Sequence, residues 1–160
     1  MFKVNDRVIH AREGLSLIVG TTTMADREYY VVKADRGGGE SIYVLVNNTA
    51  NIIRPIMKKD EALKVVEYMK GVVAEFISNT KQRRDQYKRR LLSGNVFDLA
   101  YLSRQLYFYN FYNANGQQIK LGPTDVQMLK DAETILYDEL ALSFDKDRDI
   151  VFDFVAGLLG

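Results

Sequence analysis

The sequence predicts an α+β architecture: a small β barrel comes first, and an all-α bundle of about five helices follows. Three observations carry this. Up to about residue 56 the apolar runs are short, rich in β-branched residues and broken by turn chemistry. After Arg54 and Pro55 the apolar period becomes helical. The chain has 160 residues, of which 47% are hydrophobic, enough for a packed core and too many for wholesale disorder. The change of period falls near Pro55 to Lys58, which divides the chain into domains of residues 1–57 and 58–160.

In the first half, Val4, Val8 and Ile9 begin one strand, Leu15 to Val19 form a second, Glu28 to Lys33 a third and Ile42 to Val46 a fourth. Gly37, Gly38 and Gly39 allow the positive φ that a tight reversal between the third and fourth strands requires, and Asn47 with Asn48 closes the fourth. About five short strands in about 55 residues suggest an SH3-like or Tudor-like barrel. In the second half, Asp60 is placed to cap a helix that puts Leu63, Val66 and Met69 on one face and ends near Gly71. A second helix runs from about Asn79 to Ser93, with Gly94 where a left-handed C-cap is favoured. Asn95 caps a third, carrying Val96, Leu99, Leu102 and Leu106, and a polar loop follows from Asn113 to Gln118. Thr124 and Gln127 have capping-box spacing ahead of a fourth helix, Asp125 to about Ser143, with Leu129, Ala132, Leu136 and Leu140 as its inward stripe. A fifth, shorter helix follows Asp147. Neither proline falls inside these expected helices.

The formal net charge is only +1, from 22 Lys and Arg against 21 Asp and Glu, and by itself indicates no partner. Its distribution is dipolar, since residues 58–104 carry 11 basic and 6 acidic groups and residues 105–160 carry 4 and 9. The absence of cysteine excludes disulfides and thiolate catalysis and fits a reducing compartment, so a cytoplasmic location is expected. The opening MFKVNDRVIH lacks the apolar region of an export signal, and no run approaches the roughly 18 apolar residues of a spanning helix. No membrane partner is expected.

The densest charge is KQRRDQYKRR, Lys81 to Arg90, with six cations and one acid on a helix. Helical spacing puts Arg83, Tyr87 and Arg90 on one face and Arg84, Lys88 and Leu91 on the next, so several cations could follow a phosphate backbone. The alternative is a solvated helix whose cations face the acidic fourth and fifth helices. YFYNFY, Tyr107 to Tyr112, has five rings in six residues and cannot hide all of them against one neighbour. Those rings read either as a stacking or protein-contact surface or as packing that cements the third helix onto the bundle. His10, the lone histidine, has no nucleophile or ligand pattern beside it and reads as structural. DKDRD, Asp145 to Asp149, lacks the glycine and glutamate of a calcium loop, and Gly37 to Gly39 lacks the Lys-Ser/Thr of a phosphate loop. No cofactor, metal or enzymatic centre is expected.

Three stretches resemble the CarD/CdnL family of bacterial transcription regulators. Phe2 to Ile18 (FKVNDRVIHAREGLSLI) is similar to the family's opening, retaining Phe2, Val4, Asp6, Val8, Gly14 and Ile18. EYYVV, VLVNN and IIRPI, between Glu28 and Ile56, follow its strand pairs and closing LRP. Arg83 to Asn95 and Leu121 to Phe144 resemble its RR…LxSGD and LSxxExxxLxxAxxxLxxELAL segments. The resemblance implies a Tudor-like domain that binds the RNA polymerase β subunit and a helical domain that contacts promoter DNA, without sequence specificity, at the edge of the melted bubble. It implies no cofactor.

Residue by residue, the resemblance puts the polymerase surface on Thr22, Thr23, Met24 and Tyr43, with Val44 behind them, and DNA contacts on Arg83, Arg84, Lys88, Arg89 and Arg90. Met24 and Tyr43 stand where well-known members carry arginine. Thr80 or Lys81 occupies the place of a tryptophan that wedges into the bubble edge, and Phe108 with Tyr109 replaces basic residues after the third helix. Those two rings are candidates to take over the wedge. The chain is therefore expected to be a monomeric, polymerase-tethered regulator of open-complex stability; the alternative is a protein-only interaction module that makes no DNA contact.

Overall fold

A computed structural model describes all residues, 1–160. Its contacts divide into two compact units, Met1–Ile56 and Met57–Gly160. The first is a five-stranded antiparallel sheet of β1 (Arg7–His10), β2 (Gly14–Met24), β3 (Arg27–Ala34), β4 (Ile42–Leu45) and β5 (Ile53–Pro55), in the order β4-β3-β2-β1-β5. Its core of Val8, Ile18, Tyr30, Val32, Val44 and Ile53 draws on all five strands, including both edges, so the sheet must curl around it. The β2–β3 register shifts between Ile18 and Gly20, which marks a bulge at Val19 and bends the long strand. This is the Tudor-like β unit that the strand spacing predicts.

Two differences from the sequence reading lie here. Val4 precedes the sheet instead of starting it, because Asn5 takes a positive φ of 76° and turns the chain before Arg7. β2 continues past Val19 to Met24, because Ala25 and Asp26, at φ 50° and 61°, close a two-residue hairpin that pairs Met24 with Arg27. Gly37 and Gly39 adopt the positive φ expected of the β3–β4 connection.

The second unit holds α1 (Lys59–Lys70), α2 (Thr80–Leu91), α3 (Val96–Ala114), α4 (Pro123–Ser143) and α5 (Arg148–Leu159). Leu129, Ala132, Leu136 and Leu140 of α4 are fully buried and face α3, whose Leu102 and Leu106 are buried too. Met57 opens the unit by donating its N–H to Glu139 at 2.9 Å and accepting from Ser143 Oγ at 2.9 Å. No helix is long and apolar enough to cross a membrane.

The N-cap of α1 is Lys58, not Asp60: Glu61 reaches back to accept from the Lys58 N–H at 3.0 Å. The buried face then runs through Ala62, Val65, Val66 and Met69, leaving Leu63 exposed. Gly122 and Pro123 open α4, with Pro123 as its first residue, where the missing N–H costs nothing, and Thr124 caps nothing. Asn79 and Asn95 do cap α2 and α3, accepting from Gln82 and Phe97 N–H groups at 2.9 Å each. Gly94 is left-handed at φ 75°.

A candidate nucleic-acid interface on the second helix

α2 carries the basic run. Its 12 residues bury only Arg83 and Tyr87, so it lacks the apolar stripe that seats an ordinary amphipathic helix. Arg83 is 6% exposed. It donates from Nε and Nη2 to Asp125 Oδ2 at 2.9 and 2.7 Å, and from Nη1 to the Ile77 carbonyl at 2.9 Å. Asp125, in the first turn of α4, is fully buried. One turn after Arg83, the Tyr87 ring is completely enclosed, and burial pushes its phenol up to about 12.

Arg90 continues the inward face. Its Nη1 donates to Asp98 Oδ1 at 2.8 Å, and its guanidinium lies 3.8 Å from the centroid of the Tyr101 ring. The Tyr101 hydroxyl in turn donates to Glu75. Burial, followed by that hydrogen bond, raises the Tyr101 phenol above its ordinary range.

The spacing of Arg83, Tyr87 and Arg90 does define one helical face, but that face points into the unit. The outward face holds Arg84, Lys88 and Arg89, all exposed. Arg84 is the least free, with Nε 3.5 Å from Asp125 Oδ1 and its side chain 48% accessible. Lys81 is exposed too, paired with Asp85 at 3.2 Å. Of the five cations assigned to DNA by resemblance, three face solvent, while Arg83 and Arg90 are held by the unit's own carboxylates. Asp125 is the buried partner of Arg83 that sequence reasoning missed. The signal available was a tyrosine among cations, which marks the face that must be buried.

The rings from Tyr107 to Tyr112 lie on the last turns of α3, which continues to Ala114. Tyr107 and Phe111 are the exposed pair, at 46% and 48%, and stack with centroids 6.0 Å apart. Phe108 and Tyr109 are half-buried. Phe108 stacks on Tyr112, which meets Phe76 edge-on, and Arg104 lies 4.6 Å over Tyr107 and 5.1 Å over Phe108. Part of the run thus cements α3 to the segment after α1, and part faces water.

On the β unit, Thr22, Thr23 and Met24 pair with Tyr29, Glu28 and Arg27, while β1 pairs with β2 only as far as Leu17. The other edge of β2 beyond the bulge therefore has no strand beside it, and neither has the outer edge of β4. Strand alternation puts Thr22 and Tyr43 on the outer face and Val44 in the core. Tyr43 is 51% exposed and Met24 41%. No group of three or more His, Asp or Glu side chains is arranged to hold a metal ion.

A curled β unit with open strand edges is thus followed by a helical unit that leaves three cations of α2 in solvent. Residues 2–57 match the family model described as the CarD-like/TRCF RID domain, and residues 64–155 match that of the CarD C-terminal domain. The chain belongs to the CarD/CdnL family. That membership gives it a transcription-associated, RNA polymerase-interacting role within a family of non-enzymatic transcription factors.

Proposed function

We propose that the chain binds the RNA polymerase β subunit through the open β edges and, through α2, contacts promoter DNA without sequence specificity, modulating the stability of the open complex. The observation that carries the DNA half is the division of labour on α2: the inward cations are neutralised by Asp125 and Asp98, while Arg84, Lys88 and Arg89 stay in solvent. Three such cations on adjacent turns suit the regular negative charge of a phosphate backbone. The polymerase half rests on family membership and on the unpaired strand edges, which can extend a partner's sheet through backbone hydrogen bonds even though Met24 and Tyr43 carry no charge. We place the protein with polymerase in the cytoplasm, as a monomer.

The test compares affinity for a recombinant β-subunit fragment with affinity for promoter-bound polymerase, at two salt concentrations. DNA is expected to strengthen binding, with a log–log salt slope steeper by about 3, and each alanine at Arg84, Lys88 or Arg89 is expected to remove roughly 0.9 of that slope and weaken binding roughly threefold. Equal affinity with and without DNA, at both salts, leaves a protein-only tether.

A further inference from the structure

Ordinary helices of this unit are seated by apolar stripes, four core residues in α1 and seven buried apolar residues in α4. α2 has no such stripe. Its seat is the enclosed Tyr87 ring and a polar tie: Arg83 joins the helix to the segment before it through the Ile77 carbonyl, and to the first turn of α4 through Asp125. The same carboxylate turns its second oxygen toward Arg84, 3.5 Å away, and that oxygen has no hydrogen bond of its own. Gly122, just ahead of α4, lies under this cluster, since a Cβ there would come to 3.4 Å from Arg84 Nη2 and 3.8 Å from Asp125 Oδ2. One buried acid thus orients the first two arginines of the basic run.

We propose that Asp125 is a positioning residue for DNA binding: by holding Arg83 inside the unit it fixes the rotation of α2, so that Arg84, Lys88 and Arg89 all stay on its solvent side. This rests on the DNA-contact reading above. It has a consequence opposite to what charge alone predicts. Converting Asp125 to asparagine raises the formal net charge of +1 by one unit, and by long-range electrostatics that should tighten DNA binding. Instead, Arg83 loses its counter-charge in a site that tolerates no unpaired cation, leaves it, and takes α2 out of register.

The experiment uses the full chain and a promoter-length duplex at two salt concentrations, with amide hydrogen exchange measured in parallel. For Asp125→Asn, affinity is expected to fall about tenfold and the salt slope to become shallower, as when two of three phosphate contacts are lost. Amides from Arg84 to Leu91 should exchange faster while the α3–α4 core keeps its protection. The double variant Arg83→Met with Asp125→Leu replaces the pair by apolar groups and is expected to recover binding that Arg83→Met alone lacks. Equal or tighter binding by Asp125→Asn, unchanged α2 exchange, or a folded double variant no better than Arg83→Met would overturn the proposal, the last because Arg83 would then touch DNA itself. If the wild-type chain shows no salt-dependent DNA affinity, the DNA-contact reading fails, and α2 exchange alone decides whether Asp125 seats the helix.

Discussion

The His10 ring is an acceptor: its Nδ1 takes hydrogen bonds from the Arg12 and Glu13 N–H groups, both at 3.1 Å, and so closes the turn between β1 and β2. An imidazolium has no lone pair left for them. Burial lowers the His10 pKa from its ordinary 6.5, with Glu13 pulling it up and Arg12 pushing it further down. Because the folded pKa lies below the unfolded one, the unfolded chain binds the extra proton first; the turn's contribution is complete above about pH 6.5 and is lost as pH falls through the folded value. The β unit is therefore expected to lose thermal stability between pH 7 and pH 5, and His10→Asn to show a flatter profile over the same window. Parallel profiles would remove His10 as the cause. The structural role expected for this histidine was legible because nothing near it in sequence offered chemistry. For Arg83 the sequence was ambiguous, because a guanidinium reads the same whether it meets a phosphate or a carboxylate 42 residues away.

Among the elements, the strand edges carry the polymerase prediction. Met24→Asp and Tyr43→Asp put charge where a partner strand must dock, and each is expected to weaken binding to the β fragment by about 1–2 kcal/mol, read by titration calorimetry, without changing DNA affinity. Loss of DNA affinity in either variant would tie these side chains to the wrong surface. Elements built on periodicity were readable: the stripe from Leu129 to Leu140 and the Asn95 cap follow from spacing alone. Elements closed by unusual turns were not. Ala25 and Asp26 form a hairpin without the Asn-Gly signature, and the polar TTTM run before them reads as loop although it is strand. The third helix carries its aromatic run as the polar loop after Tyr112 predicts, but the partners of Tyr112 and Phe108, Phe76 and Arg104, are contacts no local pattern announces.

Across the whole molecule, the charge dipole in the sequence resolves into real contacts where Arg83 and Arg84 meet Asp125 of α4. The two units each have a core of their own and part at Ile56 and Met57. If one chain tethers weak DNA contacts to polymerase, joining the units supplies an effective concentration on the order of millimolar. Residues 1–56 and 57–160 added as separate pieces are then expected to bind their respective partners but to leave open-complex lifetime unchanged, whereas the intact chain alters it. Equal effects from the mixture and the intact chain would dispose of the tether.

The bulge at Val19 has one more consequence. Beyond it β2 has no strand on its β1 side, which leaves a row of backbone N–H and C=O groups open there, and such a row accepts any extended strand, including that of another copy. A strand docked on that edge would pair those groups and protect it, and a chain whose edge stays open would be the form prone to self-association.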